Sequence, residues 1–184
     1  MEQLIGREKE VELLQSLFKS PEPELLAIYG RRRIGKTFLI RKTMGKSIAF
    51  EFVGANNISL KEQLGNFTKA LIQSGATLLF TPPQNWSDAF FLLSRHLETQ
   101  STTDKQVVFL DEFPWINTPK SGFLSAFDHW WNSWANKQDN LIVIICGSAA
   151  AWMIRHIVNS KGGLHNRITQ RIKLNPFTLA ETAE

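Results

Sequence analysis

The sequence predicts an α/β fold, a parallel β-sheet covered on both faces by helices, and three observations predict it. Short apolar runs alternate with helix-period segments along the chain, which is the pattern of strand–helix–strand units. The octapeptide Gly30-Arg31-Arg32-Arg33-Ile34-Gly35-Lys36-Thr37 follows one such run and opens a helical segment, the setting that a G-x-x-x-x-G-K-[ST] phosphate-binding loop requires. A second apolar run, Val107 to Leu110, ends in Asp111-Glu112 about 70 residues later, where the carboxyl end of a buried parallel strand faces a ligand crevice.

Taken in order, residues 8–19 repeat apolar side chains at Val11, Leu14, Leu17 and Phe18, a helical spacing that Ser20-Pro21-Glu22-Pro23 stops. Leu25 to Tyr29 is a short buried strand, and Phe38-Leu39-Ile40 is the apolar face of the helix that continues the loop. Residues 47–53 read as a strand, 60–72 as an amphipathic helix, and Thr81-Pro82-Pro83 breaks the chain before a helix over 86–97. The Val107 strand follows. Then come a helix over 123–135, an apolar strand over 140–146, a helix over 150–158 and an alternating strand over 168–174. There is no internal repeat or low-complexity tract.

A chain of 184 residues with 43% hydrophobic content can bury one substantial core. Its one cysteine, Cys146, allows no intrachain disulfide and lies in an apolar run as a buried strand position. No stretch approaches the about 18 consecutive apolar residues of a membrane span, and the first residues lack the pattern of a secretory signal. A cytoplasmic protein without membrane insertion is the expectation. The net charge of +4 is partly local, because Arg31, Arg32, Arg33, Lys36, Arg41 and Lys42 cluster at the loop and its helix. Lys161, Arg167, Arg171 and Lys173 form a second basic stretch, readable as a solvated face or as a DNA surface.

The loop spacing has a physical reason. Gly30 and Gly35 let the backbone curl so that successive N–H groups point at a β-phosphate, where a helix N-terminus adds its dipole. Residues Gly30 to Thr37, with Phe38 behind them, are the expected nucleotide contacts; Lys36 would reach the β- and γ-phosphates. Thr37 and Asp111 are the expected Mg²⁺ ligands, and Glu112 the group that orients an attacking water. An ordinary arginine-rich turn is the plain alternative for the loop, and a solvated turn for the carboxylates. Phe123, Phe127, Trp130 and Trp134 form one apolar helix face suited to the core. Trp131 points away from that face, and with Trp115 offers a partner-facing surface as the alternative to plain packing.

One strand and two helices between the loop and the Asp-Glu pair resemble the branch of P-loop NTPases with an added strand and a catalytic glutamate. Their sheet order is 5-1-4-3-2 within a three-layer αβα sandwich. Leu4 to Glu10 resembles the segment that AAA+ and STAND ATPases lay against adenine, which implies adenine-side roles for Ile5, Gly6 and Arg7. Ile5-Gly6-Arg7-Glu8, the loop, Phe109-Leu110-Asp111-Glu112-Phe113-Pro114-Trp115, Lys120-Ser121-Gly122-Phe123, Ile145-Cys146-Gly147-Ser148 and Gly162-Gly163-Leu164-His165-Asn166-Arg167 together closely resemble the prokaryotic archaeal-type ATPases of the STAND class, MNS clade.

The resemblance implies a single P-loop ATPase domain over 1–184: an adenine-side segment 1–22, a nucleotide-binding core 23–178, and at 179–184 the start of a C-terminal lid that is missing. It gives Ser148 the role of a γ-phosphate sensor, with the N-cap of the following helix as the alternative. It gives Arg167, or second Arg171, the role of an arginine finger, with a surface residue or salt bridge as the alternative. The implied activity is ATP binding and Mg²⁺-dependent hydrolysis coupled to conformational change, with self-association or a protein partner. The rival is a nucleotide-gated switch that recruits a protein or DNA partner with negligible turnover. A small-molecule kinase would share the loop but needs a basic lid, and none is legible.

Overall fold

A computed structural model describes residues 6–77, 81–100, 103–159, 164 and 166–177. Five strands, β1 (Glu24–Tyr29), β2 (Ile48–Val53), β3 (Gln106–Asp111), β4 (Leu141–Gly147) and β5 (Gln170–Lys173), form one sheet in the order β2-β3-β4-β1-β5. All four neighbouring pairs are parallel. This is the expected 5-1-4-3-2 arrangement, which places β1 and β3, the strands that deliver the loop and the Asp-Glu pair, on either side of β4.

The central strands are apolar along their middles because both sheet faces are covered. Ile142, Ile144 and Cys146 of β4 join Leu14 and Leu17 of α1 (Glu8–Leu17) and Leu39, Ile40 and Met44 of α2 (Lys36–Met44) in one core. Leu141, Val143 and Ile145 turn the opposite way and pack with α3 (Leu60–Gln73), α4 (Trp86–Thr99), α5 (Phe113–Ile116), α6 (Phe123–Ser133) and α7 (Ala150–Met153). The period-2 alternation of each strand thus divides the interior into two cores, and the three layers follow.

Local chemistry sets the helix ends. Ser59 and Glu62 form a reciprocal capping box on α3, the Ser59 Oγ accepting from Glu62 N at 3.2 Å and Glu62 Oε2 from Ser59 N at 2.8 Å. Asn85 caps α4 by accepting from Asp88 N at 2.9 Å. The expected 123–135 helix ends at Ser133, and a 3-10 turn covers Ala135–Lys137. α7 runs on as a π-helical turn, Ile154–Val158. The last strand is shorter than 168–174, and α5, not anticipated, begins immediately after Glu112.

One expectation is overturned. Trp131 is 3% exposed and belongs to the core, so it offers no partner surface. It follows Phe127 at the i,i+4 spacing of a helix face. α6 packs on α4 through the Phe90–Trp130 ring pair, 5.1 Å between centroids, and on α5 through Phe113–Phe127 at 5.2 Å, so its buried arc is wider than one stripe. Trp134 is the half-buried member, stacked on Trp130 at 5.9 Å.

Candidate nucleotide site

The turn between β1 and α2 carries the octapeptide. Gly30 has φ 156°, and a Cβ there would lie 2.3 Å from the Leu174 carbonyl oxygen, so only glycine lets β1 leave the sheet beside the end of β5. Arg33 and Gly35 take positive φ, 61° and 85°, and Gly35 is the N-cap of α2 with no side-chain cap. The first N–H groups of α2 therefore lack a side-chain partner at their cap, as an anion-binding helix start requires. Ile34 packs inward against the loop, its Cδ1 2.8 Å from where a Gly30 Cβ would be.

Lys36 is buried, and its Nζ donates to the carbonyls of Gly30 at 3.0 Å and Arg31 at 2.6 Å. The ammonium is thus held inside the curl of the loop. Thr37 Oγ1 donates to Asp111 Oδ2 at 2.7 Å, across the crevice between the ends of β1 and β3. A hydroxyl and a carboxylate side by side are hard oxygen ligands of the kind Mg²⁺ takes, one or two from protein and the rest from phosphate and water. Among the described residues no group of three or more His, Cys, Asp and Glu side chains could hold a metal alone.

Glu112 adopts φ 46°, ψ 44° as the N-cap of α5. This left-handed turn swings its side chain away from the strand direction and towards β4. There Glu112 Oε2 accepts from Ser148 Oγ at 2.8 Å and from Ser148 N at 3.4 Å. The N-cap alternative for Ser148 falls away, since Ala149 is the N-cap of α7 and has no side-chain cap bond. Arg32 Nε lies 3.5 Å from the same Ser148 Oγ, and its guanidinium carbon sits 5.0 Å from the Trp115 ring centroid.

Arg32, Arg33, Gly35, Lys36, Thr37, Phe38, Asp111, Glu112 and Trp115 line one cleft of about 370 Å³. A larger groove, about 830 Å³, follows the edge strand β2 and contains none of these residues. Beneath the cleft the Cys146 thiol is driven well above its ordinary range, chiefly by burial and then by the Asp111 carboxylate, with Lys36 opposing. It stays protonated and is no nucleophile.

Gly6 and Arg7, both at φ 68°, do not line this cleft. Arg7 is 6% exposed, donates from Nη2 to the Asn175 carbonyl at 2.6 Å and lies 4.2 Å from the Phe177 ring centroid, tying the start of α1 to the segment after β5. Arg167 is exposed in a turn, its N–H donating to the Leu164 carbonyl at 3.0 Å, and is not among the cleft residues; exposed Arg171 on β5 is not either. Ile5, Lys161, Gly162, Gly163, His165 and the expected lid start at 179–184 lie outside the described residues.

Three contributors escaped the sequence reading. Gln63 is fully buried and donates from Nε2 to the carbonyls of Ala55 at 2.7 Å and Trp115 at 2.8 Å, bracing α5. A polar residue beside Leu64 on an apolar helix face was its only signal. Gly54 donates to the Asp111 carbonyl at 2.9 Å, and a Cβ on it would meet the Glu112 carbonyl at 2.7 Å. Trp115 belongs to the site as the surface under Arg32.

Comparison with known proteins agrees with this geometry. The family described as an ATPase domain predominantly from Archaea matches residues 4–184. The uncharacterized protein MJECL04 of Methanocaldococcus jannaschii is 26% identical over 180 residues, 98% of this chain and 37% of that protein. Among solved structures, the Walker-type ATPase PABY2304 of Pyrococcus abyssi is similar with a TM-score of 0.68 at 20% identity, covering 97% of this chain and 55% of that one. Cdc6p from Pyrobaculum aerophilum is similar with a TM-score of 0.64 at 16% identity, covering 98% and 48%. The chain thus spans 37% of the sequence relative and about half of the two solved chains. At these identities the structural likeness shows the fold, an α/β P-loop ATPase sheet. Among the described residues, no helix is long and apolar enough to cross a membrane.

Proposed function

We propose, for a chain that belongs to the family of ATPase domains predominantly from Archaea, that it binds ATP with Mg²⁺ in the cleft under the 30–37 loop and hydrolyses it. The observation that carries this reading is the convergence of two polar pairs on that cleft, Thr37 with Asp111 at 2.7 Å and Glu112 with Ser148 at 2.8 Å. The first is a phosphate-side metal pair and the second a water-side pair. Phosphate binding alone would need only the loop and Lys36.

In this mechanism the loop amides and Lys36 hold the β- and γ-phosphates, and Thr37 and Asp111 hold Mg²⁺. The ion, when bound, neutralises charge on the phosphate oxygens. Glu112 orients a water whose oxygen bonds to the γ-phosphorus. The bond from that phosphorus to the bridging oxygen breaks, its electron pair leaves with ADP, and the water proton passes to the Glu112 carboxylate. Ser148 donates its hydroxyl to Glu112, and a γ-phosphate oxygen would compete for that donor. Nucleotide arrival is thereby coupled to release of Glu112 and to movement of the α5 turn that Glu112 begins.

One observation favours a second reading. Ser148 engages Glu112, and a chain that keeps it engaged with ATP bound would be a nucleotide-gated switch with slow turnover. Phosphate release and nucleotide affinity, measured on the wild type, Lys36→Ala and Glu112→Gln, separate the two. An ATPase loses turnover about 100- to 10,000-fold in Glu112→Gln with affinity kept. In either reading, Lys36→Ala weakens nucleotide binding about 10- to 100-fold. Wild-type binding without turnover refutes the hydrolytic reading.

A further inference from the structure

Arg32 and Arg33 of the phosphate loop both line the cleft, and of the two it is Arg32 whose guanidinium reaches Ser148 and Trp115. Its Nε is 3.5 Å from Ser148 Oγ, which in turn is 2.8 Å from Glu112 Oε2. Its guanidinium carbon lies over the Trp115 indole at 5.0 Å, and both residues line the cleft with Thr37 and Asp111. Arg31 contributes its carbonyl to Lys36 and does not line the cleft.

We infer that Arg32 supplies the phosphate-facing arginine of hydrolysis from within the same chain, swinging from Trp115 onto the γ-phosphate when ATP enters. This inference rests on the hydrolytic reading above. The chemistry favours the move. A cation over an indole at an exposed site is held weakly. Guanidinium-to-phosphate hydrogen bonds are charge-assisted, and the planar fork can make two at once. With Ser148 and Glu112 as neighbours, the fork would meet the oxygens on which charge develops as the γ-phosphoryl group transfers. The Trp115 ring keeps the Arg32 side chain in the cleft. The Trp115 carbonyl is fixed by Gln63 at 2.8 Å, so the ring sits on a braced support.

The test uses the wild type, Arg32→Ala and Arg32→Lys, with Mg·ATP turnover, Mg·ADP affinity, and the gain in ADP affinity on adding aluminium fluoride, which mimics the transferring phosphoryl group. Arg32 is exposed, so these substitutions leave the fold in place, and a thermal melt checks this. Arg32→Ala should slow turnover about 100- to 1,000-fold, keep Mg·ADP affinity within about threefold and lose most of the aluminium fluoride gain. Arg32→Lys should recover only part of both losses, because an ammonium lacks the fork. An Arg32→Ala chain that keeps wild-type turnover and the full aluminium fluoride gain overturns the inference while leaving the ATPase reading intact. A wild type with neither turnover nor an aluminium fluoride gain overturns both.

Discussion

The bond between Ser148 and Glu112 has a measurable energy. Ser148 Oγ donates to Glu112 Oε2 at 2.8 Å, and the Ser148 N–H adds a long contact at 3.4 Å that survives removal of the hydroxyl. A hydrogen bond to a charged group contributes about 1.5–3 kcal/mol when buried. Both partners here are half-buried and the cleft is open to water, so about 1 kcal/mol is the expected value. The perturbation is a double-mutant cycle with Ser148→Ala, Glu112→Ala and both together, read by urea unfolding without nucleotide. Glu112→Ala also alters the energy of a residue at φ 46°, but that change enters both legs and cancels. Ser148→Ala alone should lower the melting temperature by about 2–4 °C in a chain of this size. A coupling below about 0.3 kcal/mol refutes the pairing, because that is the additivity expected of independent sites. Repeating the cycle with Mg²⁺ and a non-hydrolysable ATP analogue should shrink the coupling, as the γ-phosphate takes over the hydroxyl.

Gly30→Ala should cost about 2–3 kcal/mol, seen as a lower urea midpoint at unchanged slope, because the new methyl would lie 2.3 Å from a backbone carbonyl that cannot rotate away. The Cys146 thiol, fully buried and driven well above its ordinary range, should resist a thiol reagent at pH 8 in the folded chain and react fully in denaturant. His96 is buried against Ser74 Oγ at 2.9 Å and Gln100 Nε2 at 2.7 Å, and burial lowers its pKa. The unfolded chain then binds the proton more readily, so stability is full above about pH 6.5 and falls as pH drops towards the lowered folded value. Urea midpoints between pH 7.5 and 5.5 should show that loss, and His96→Gln should flatten it.

What could be read from the sequence tracks how local the determining physics is. The strands were legible because β3 and β4 are buried at every position, and so run apolar from Val107 to Leu110 and from Leu141 to Cys146. The loop, Lys36, Thr37 and Asp111 were legible because phosphate and Mg²⁺ chemistry fixes both residue type and spacing. The sheet order came from resemblance, since periodicity does not say which strands adjoin. Trp131 was misjudged because one apolar stripe was assumed where α6 meets two neighbours. Ser148 was ambiguous for a similar reason: serine before a helix suits a cap, and what decides otherwise is the helix start at Ala149 and the bond to Glu112, a residue just past another strand.

The same distinction explains why Arg32 was not separable from Arg31 and Arg33. Three identical side chains in a row carry no internal difference, and what distinguishes them is the backbone turn, with Arg33 at φ 61° and Gly35 at 85°, together with where Trp115 and Ser148 are delivered. Trp115 arrives through the left-handed Glu112 and the short α5 behind it, and Gln63 and Gly54 hold that turn from β2 and α3. Glu112, Trp115 and thereby Arg32 are one mechanical group. A change that frees the α5 turn, such as Gln63→Leu, should therefore disturb water activation and the Arg32 resting position together while leaving Lys36, held only by carbonyls of its own loop, in place. In the proposed mechanism Lys36 is held on the loop that follows β1, whereas Glu112 and Ser148 follow β3 and β4, and that separation is the structural ground on which water activation could be gated without losing the phosphate grip of Lys36.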